Sequence, residues 1–394
     1  MKTVKIKELG LVVTGRTPPS SQPEFFNGNV PFLTPTDMST RRRVKTSRTI
    51  SSSGASKYSK SILSPGSTAF VCIGATIGKM AQVQVPTLTN QQINSVIPYA
   101  GTDADYLYYS LLFNQDSIKQ IAGGAATPIV NKTVFENTEI SVHSYDDQKR
   151  LGRVLSAYDE LFENNMMRIK ILESMARLFY RHYFEQSEAD DWESLPLNDC
   201  LLVHRGKSYK SSELSKNEGL PFVNLKCVNR EGGFRKDGLK KFTGSYKPTQ
   251  LVVKGDIVVA VTDMTQERMI VARAARVPSL DGGSGVISMD LVKIEPRDGF
   301  ERDYIYSLLR WSRFSSEVKN HANGANVLHL LPARITDYQI TVAPLNIQQE
   351  FAYLVEPIFD LIDNLQLKNE SLSKSLNLLL PHLMTDEIRV SRES

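Results

Sequence analysis

The chain has 394 residues, a length that corresponds to two or three domains of ordinary size. With 41% hydrophobic and 23% charged residues, the composition is that of a globular protein, which excludes a largely disordered or fibrous chain. The formal net charge of +4 permits a nucleic-acid partner but does not require one. Composition alone therefore leaves the function open.

Cysteine spacing and hydropathy exclude further classes of protein. The three cysteines lie far apart and lack a CxxC spacing, so we expect neither a disulfide framework nor a zinc site. No apolar segment follows the basic start of the chain, so no signal peptide is predicted. The most apolar run, 251–261, is interrupted by Lys254-Gly255-Asp256 and is far shorter than the roughly 20 residues that span a bilayer. We therefore expect a cytoplasmic protein with no membrane partner.

Short apolar runs divided by Gly, Ser, Pro and Asn predict the secondary structure in chain order. In the first half, strands are predicted over 9–14, 68–73, 80–85 and 93–98, followed by a helix over 105–121. In the second half, strands are predicted over 222–228, 256–261, 270–275 and 286–294, followed by a helix over 303–319. Each half is therefore predicted to hold an α+β unit with a largely antiparallel sheet.

The second half of the sequence repeats the first. Matched segments follow one another in the same order, and they include Gly15-Arg16-Thr17 with Gly206-Lys207-Ser208, Pro31-Phe32 with Pro221-Phe222, Asp105-Tyr106 with Asp303-Tyr304, and Gly124-Ala125 with Gly324-Ala325. From the last pair onward the offset stays at 200 residues. The order of the matches indicates a tandem duplication.

Each copy ends in a heptad pattern. Seam residues recur at spacings of four and three, and they include Leu155, Phe162, Asn165, Ile169 and Leu172 in the first copy and Val355, Ile362, Leu365, Asn369 and Leu372 in the second. This period predicts two long coiled-coil helices, for which antiparallel pairing is the simplest arrangement. Two ordinary long core helices are the alternative. The predicted organisation is thus two globular units, 1–145 and 188–345, with helices over 146–187 and 346–394.

No motif for catalysis is found. The sequence lacks a GxxxxGK[ST] loop, a GxGxxG turn after a strand, HExxH and GxSxG, and its histidines form no pair with ligand spacing. We therefore expect no catalytic residue, no metal and no cofactor in this chain.

Basic and amide-rich loops are the positive signal, because such side chains neutralise phosphates and contact base edges. The residues that we predict to bind DNA are Arg16, Thr17, Arg41, Arg42, Arg43, Lys45, Lys79, Gln91 and Gln92 in the first copy, and Arg205, Lys207, Arg235, Lys236, Lys240 and Lys241 in the second. For any one cluster, a solvated charged loop is the alternative.

The combination resembles the specificity subunit of type I restriction–modification systems. The resemblance is carried by the paired Gly15 and Gly206 turns, the Asn90-Gln91-Gln92 triplet and the Gln148-led and Gln348-led heptad helices, and it covers essentially the whole chain. It implies two tandem target-recognition domains, separated by long helices that form an antiparallel coiled coil. The second copy departs from the pattern, since Met269-Ile270 replaces Gly78-Lys79.

The resemblance also implies a function without catalysis by this chain. Each domain would read one half of a split, asymmetric site in double-stranded DNA. Two modification (methyltransferase) subunits would supply S-adenosylmethionine chemistry and methylate adenine. Restriction subunits, which use ATP and Mg, would add cleavage, and whether two of them join is left open.

Other functions remain open at the level of the sequence. A specificity module of a type II-like methyltransferase–nuclease would differ only in its partners. A coiled-coil scaffold would not bind DNA at all, and an autonomous enzyme would need motifs that are missing.

Overall fold

The computed structural model describes residues 1–39, 41–122, 128–186 and 192–388. The Gly124-Ala125 repeat segment and the predicted 187/188 boundary lie outside the described residues. The chain divides into two compact units, one formed by Met1–Asn165 with Lys368–Ser394 and the other by Met166–Leu367. Each unit thus combines a β-rich domain with parts of two long helices.

The first β-rich domain alternates short strands with short helices and is followed by the long helix α6. The strands are β1 (Lys2–Lys5), β2 (Gly10–Thr14), β3 (Phe26–Leu33), β4 (Arg48–Ile50), β5 (Ile62–Leu63), β6 (Thr68–Val71), β7 (Met80–Gln82), β8 (Thr87–Thr89), β9 (Ile93–Pro98) and β10 (Glu139–Val142). The helices are α1 (Ile6–Leu9), α2 (Ser52–Lys57), α3 (Ala104–Phe113), α4 (Gln115–Gln120), α5 (Lys132–Asn137) and α6 (Tyr145–Phe184).

The second β-rich domain has a corresponding series. The strands are β11 (Glu193–Pro196), β12 (Leu201–Arg205), β13 (Leu214–Ser215), β14 (Leu220–Val223), β15 (Lys240–Phe242), β16 (Leu251–Val253), β17 (Ile257–Ala260), β18 (Thr262–Asp263), β19 (Ala274–Arg276), β20 (Ser284–Ile287), β21 (Leu291–Pro296), β22 (Leu328–His329) and β23 (Gln339–Val342). The helices are α7 (Leu197–Cys200), α8 (Arg302–Trp311), α9 (Phe314–Val318), α10 (Ala333–Thr336) and α11 (Leu345–Met384).

The same sheet topology occurs in both domains. One sheet has the order β2-β9-β6-β7 in the first domain and β12-β21-β17-β19 in the second, with antiparallel pairing throughout. The other sheet contains one parallel pair in each copy, Phe32 with Leu88 and Phe222 with Val286. The predicted α+β class and the repeated architecture are therefore confirmed.

Each long helix is tied to its domain by the glutamine near its start. The Gln148 side chain accepts a hydrogen bond from the backbone N–H of Asp103 (3.1 Å) and donates one to the carbonyl of His143 (3.0 Å). Gln348 makes the same two bonds, from Glu301 (3.0 Å) and to Ala343 (2.8 Å). Because both amides are buried, each glutamine satisfies backbone groups that would otherwise lose their solvent partners.

The two long helices pair antiparallel within each unit. In the first unit, Leu155 of α6 shares a core with Leu380 and Leu383 near the end of α11. In the second unit, the ring of Tyr180 near the end of α6 lies 6.3 Å from that of Phe351 near the start of α11. The prediction of long paired helices is therefore confirmed, and each helix has 40 residues.

The predicted seam positions lie along this pairing. Eight of the ten are buried, namely Leu155, Phe162, Asn165, Ile169, Val355, Ile362, Leu365 and Asn369. Leu172 and Leu372 are half-buried. The apolar face of each helix thus points toward its unit's core, as a period of 3.5 residues requires.

Three strand predictions in the second domain were wrong in their extent. The strand predicted over 222–228 ends at Val223, because the Asn224 side chain begins a 3-10 turn over Leu225–Cys227. Residues 270–273 belong to a loop, and the strand begins only at Ala274, because the backbone N–H groups of Ile270 and Val271 bind the Asp263 carboxylate instead of a neighbouring strand. The predicted strand 286–294 is interrupted at Ser288–Asp290, where the chain turns between β20 and β21. An apolar pattern alone does not reveal such breaks.

Candidate nucleic-acid interface

A tight turn follows the first long strand of each domain. In the first domain the N–H of Gly15 donates to the carbonyl of Ile93 (3.0 Å), and that of Arg16 donates to the carbonyl of Thr89 (2.8 Å). A Cβ atom on Gly15 would lie 2.1 Å from the carbonyl oxygen of Asn90, so only glycine allows this approach. The turn therefore brings Arg16 and Thr17 against the loop that holds the amide triplet.

The side chains at this edge of the first domain form a polar, accessible group. Arg16, Thr17 and Gln91 are exposed, and the hydroxyl of Thr17 donates a hydrogen bond to Oε1 of Gln91. The Asn90 side chain donates to Oε1 of Gln92 (2.9 Å). Four residues predicted separately from the sequence, Arg16, Thr17, Gln91 and Gln92, are thus brought together.

The second domain repeats the backbone of this edge with other side chains. The N–H of Gly206 donates to the carbonyl of Leu291 (3.2 Å), and that of Lys207 donates to the carbonyl of Ile287 (2.8 Å). These bonds make Ser288-Met289-Asp290 the counterpart of Asn90-Gln91-Gln92. Arg205 is exposed and Lys207 is half-buried, so both predicted cations lie at this edge, which also includes Asp290.

A loop organised by a buried carboxylate lies at the same edge of the second domain. The hydroxyl of Thr262 donates to Asp290 (3.1 Å), and the next residue, Asp263, is only 1% exposed. The Asp263 carboxylate accepts hydrogen bonds from the N–H groups of Thr265 (2.9 Å), Ile270 (2.6 Å) and Val271 (3.2 Å). The carboxylate therefore fixes both ends of the intervening loop.

The loop itself presents accessible side chains, with Met264 68% and Met269 41% exposed. The Gln266 amide donates to the carbonyl of Ala325 (3.0 Å), which joins the loop to a third segment of the domain. Arg268 has a positive φ of 52°, which is rare for a residue other than glycine. Burial raises the pKa of Asp263, but the hydrogen bonds from backbone N–H groups lower it by a larger amount. The pKa of Asp263 therefore lies below its ordinary value.

Sequence reasoning missed this loop because the apolar residues 270–275 suggested a strand. Two signals were available in Asp263-Met264-Thr265. An aspartate at the end of a buried apolar segment, followed two residues later by threonine, is typical of a turn in which the carboxylate binds the following backbone.

The arginine cluster of the first domain lies elsewhere. Arg42 is 1% exposed, and its guanidinium donates to Gln82 (2.7 and 3.0 Å) and to Tyr109 (3.5 Å) and forms an ion pair with Asp105. Its donors are therefore used inside the domain. A phosphate could be bound by Arg42 only after these bonds were broken.

The two flanking arginines, which belong to the loop before β4, contact side chains of the long helix α6. The guanidinium carbon of Arg41 is 3.4 Å from the centroid of the Phe162 ring. Arg43 pairs with Glu163 (2.9 Å) and more distantly with Glu160 (3.5 Å). Burial lowers the pKa of Arg43, but Glu163 and Glu160 together raise it by a larger amount. The pKa of Arg43 therefore lies above its ordinary value. Of this basic loop, Lys45 is exposed.

The other predicted cations are dispersed. The ammonium of Lys79 donates to the carbonyl of Met38 (2.9 Å). Arg235 forms an ion pair with Asp237 (2.6 Å), and this partner holds the pKa of Asp237 below its usual value. Lys240 is exposed on β15, the next residue Lys241 lies 3.8 Å from Asp281, and Lys236 is half-buried in the turn before that strand.

Neither a metal site nor a membrane span is found among the described residues. No group of three or more His, Cys, Asp or Glu in residues 1–39, 41–122, 128–186 and 192–388 could hold a metal ion. Within the same ranges, no helix is long and apolar enough to cross a bilayer.

Comparison with known proteins identifies the family. The model of the type I restriction modification DNA specificity domain matches residues 1–174 and 189–374. The chain belongs to this family. Within it, the chain is 28% identical to the type I restriction enzyme MjaIX specificity subunit of Methanocaldococcus jannaschii, over 98% of this chain and 93% of the relative. It is 33% identical to the HindI specificity subunit of Haemophilus influenzae, over 43% of this chain and 38% of the relative.

A solved structure supports the same fold. The S subunit of the type I restriction–modification system from M. genitalium superimposes with a TM-score of 0.62 over 97% of this chain and 95% of its own, at 15% identity. As a member of the specificity-subunit family, the chain is the non-catalytic, DNA-binding component of a type I complex. The specificity subunit carries no cofactor of its own.

Proposed function

We propose that this specificity subunit reads a split, asymmetric sequence in double-stranded DNA, one half with each domain. The observation that carries the proposal is the repetition of one backbone edge with different side chains. The Gly15 turn presents arginine, threonine and amides, whereas the Gly206 turn presents lysine, arginine and the Met289-Asp290 pair. Because base recognition depends on side chains while docking depends on backbone shape, two such edges suit two different half-sites.

In the first domain, we assign Arg16, Thr17, Gln91 and Gln92 to the DNA contact. An amide bound bidentately to adenine and a guanidinium bound to guanine or phosphate are the contacts that these side chains make best. In the second domain, we assign Arg205, Lys207 and the loop 264–269, which the Asp263 carboxylate holds in place, to the DNA contact. Lys45, Lys79, Arg235, Lys236, Lys240 and Lys241 remain candidates for phosphate contacts, which supply affinity rather than sequence preference.

The proposed complex places the chemistry in partner subunits. Two modification subunits bind the helices and nearby surfaces, use S-adenosylmethionine and methylate adenine. Restriction subunits, where present, add ATP- and Mg-dependent cleavage. The complex acts on chromosomal DNA in the cytoplasm, and the recognition domains extend over 1–145 and 188–345, with coiled-coil helices over 146–187 and 346–394.

The coiled coil is proposed to set the gap between the half-sites. Seven residues added to α6 after Asn165 and to α11 before Lys368 keep the heptad register and lengthen each helix by about 10 Å. The gap that the complex prefers should then lengthen, by no more than about three base pairs at 3.4 Å each. The measurement is methylation by the reconstituted complex of duplexes that differ only in gap length.

A seven-residue insertion in α6 alone is the matched control, because it shifts one side of the seam and should abolish binding at every gap. Unchanged preference for the original gap in the doubly extended variant would contradict the spacer role.

A further inference from the structure

Two arginines of the first domain contact the long helix beside it, in a group that we call the first docking cluster: Arg41, Arg43, Glu160, Phe162 and Glu163. Arg43 pairs with the two glutamates, and Arg41 covers the Phe162 ring. Arg43 is 29% exposed and Glu163 is 32% exposed, so the pair lies at the boundary between domain, helix and solvent.

The second unit contains a corresponding group, the second docking cluster: Lys254, Arg276, Phe359, Asp360 and Asp363. Lys254 pairs with Asp360 (2.8 Å). Arg276 pairs with Asp303 of its own domain (3.1 Å) and lies 3.6 Å from Asp363 of the helix. The guanidinium of Arg276 also lies 5.1 Å from the centroid of the Phe359 ring. Cations of the recognition domain therefore again contact carboxylates and an aromatic ring of the long helix, here α11.

The carboxylates occupy equivalent helix positions, whereas the cations do not. Glu160 and Glu163 of α6 correspond to Asp360 and Asp363 of α11 through the constant offset of 200 residues. Arg41 and Arg43 come from the loop before β4, but Lys254 precedes β17 and Arg276 ends β19. The same two helix positions are therefore bridged from unrelated parts of the two domains, which indicates a role for the contact itself.

Energetics favours a geometric role over a stabilising one. The Arg43–Glu163 and Lys254–Asp360 pairs are partly exposed. Such a pair contributes little to the free energy of unfolding, because solvent screens it and long side chains lose entropy. The domain is also held to its helix by apolar cores that include Leu155 in the first unit and Val355 in the second. Such cores are not directional, whereas an ion pair at the rim restricts rotation about them.

We propose that the two docking clusters fix the angle of each recognition domain on its helix and thereby determine which half-site spacing the subunit accepts. This inference rests on the proposed split-site function. Arg41 and Arg43 then act as positioning residues and do not contact DNA phosphates.

The test separates a positioning residue from a phosphate contact. Arg43→Gln, Glu163→Gln and the charge-exchanged double variant Arg43→Glu/Glu163→Arg are assembled with the modification subunits. Methylation is measured on duplexes whose gap differs from the original by one or two base pairs, and binding is measured as a function of salt. Lys45→Gln is the comparison for a phosphate contact, because Lys45 is an exposed cation of the same loop: its substitution should leave gap discrimination unchanged, whatever it does to the salt dependence.

Both single variants should lose gap discrimination alike, by about fivefold, which is the size expected for one partly exposed ion pair. The exchanged double variant should recover it, and the salt dependence of binding should stay unchanged in all three. A phosphate contact would instead lower the salt slope in Arg43→Gln by about one and leave Glu163→Gln with equal or tighter binding. That opposite behaviour, or unaltered gap discrimination in both single variants, would overturn the inference.

The wild-type complex distinguishes this failure from a failure of the proposed function. If the wild type has a gap optimum that every variant shares, only the docking role is wrong. If the wild type methylates an undivided sequence, the split-site function is wrong. Lys254→Gln and Asp360→Asn give the same comparison in the second unit, where both side chains are between 40 and 50% exposed.

Discussion

Nδ2 of Asn165 donates a hydrogen bond of 2.9 Å to Oδ1 of Asn369, and both side chains are buried in the seam between α6 and α11. The Asn369 amide also lies 3.4 Å from the carbonyl of Phe162. The two asparagines are thus each other's partners in an otherwise apolar interface. A buried amide pair of this kind favours one register, because any shift of the helices leaves both amides without a partner.

We expect Asn165→Leu to destabilise the chain by about 1–3 kcal/mol, since it leaves the Asn369 amide with an incomplete set of hydrogen bonds. The double variant Asn165→Leu/Asn369→Leu should be at least as stable as the wild type but should accept a wider range of gaps between half-sites. Denaturant unfolding and methylation of gap-variant duplexes provide the two readouts. A double variant less stable than both single variants would contradict this view of the pair.

The reading edge of the first domain can be tested through one half-site at a time. Gln91→Ala should lower discrimination at one base pair of its half-site, at a cost of about 1–3 kcal/mol. Arg16→Ala should weaken binding, and if its partner is a phosphate, the salt slope should fall by about one. Binding to duplexes substituted at each position gives the measurement, and preference at the other half-site is the internal control. Loss of preference at both half-sites would instead indicate damage to the fold.

The loop on Asp263 should determine preference at the second half-site. Asp263→Asn removes the charge and one acceptor from a group that binds three backbone N–H groups, so the loop 264–269 should lose its fixed conformation. The folded-state pKa of Asp263 lies below its ordinary 3.8, so its stabilisation is present above about pH 4 and is lost only in stronger acid.

We therefore expect Asp263→Asn to reduce discrimination at the second half-site at neutral pH, measured by binding to substituted duplexes. Asp298→Asn is the matched control, because Asp298 is exposed. Full retention of discrimination in Asp263→Asn would argue against this loop as a base contact.

A pH dependence is expected from His143. Its Nδ1 shares a hydrogen bond of 2.8 Å with the Tyr106 hydroxyl, which in turn accepts from the His143 backbone N–H. Burial and, to a smaller extent, the positive amino terminus of the chain lower the pKa of His143. Asp386 and Asp147 raise it by less, so the pKa of His143 lies below 6.5. Because the unfolded chain then binds the proton more readily, stability is complete above pH 6.5 and falls as the pH decreases toward the folded-state pKa.

The second unit provides the matched substitution, since Ala343 occupies the equivalent place and its N–H donates to Tyr304 (3.4 Å). We expect His143→Ala to lose less stability than the wild type between about pH 7 and pH 5, measured by denaturant unfolding. Equal losses in the two proteins would show that His143 does not titrate as described.

Local patterns predicted the parts of this fold that depend on local periodicity. The seam from Leu155 to Ile169 could be read because a period of 3.5 residues is a property of one segment, and duplication could be read because matched segments kept their order. The turns at Gly15 and Gly206 could be found because they are matched segments of the repeat. The residues that pair with these turns could not be found, because they lie about 80 positions away in the sequence.

The basic loop shows where sequence reasoning ends. Arg41-Arg42-Arg43 has the composition of a phosphate-binding segment, but the partner that each side chain binds is a residue distant in sequence. Arg43 and Glu163 are 120 positions apart, and Arg42 and Asp105 are 63 apart. A cluster of charge in a sequence therefore does not tell a DNA contact from an intramolecular ion pair, because both require the same side chains.

Methylation-sensitive sequencing of the host genome, with and without this gene, tests the central claim most directly. We predict that one adenine motif is lost on deletion, that it consists of two unequal half-sites separated by unspecified base pairs, and that Asp263→Asn relaxes only one of them. Loss of an undivided motif, or no loss of adenine methylation, would contradict a subunit that reads a split site with its two domains.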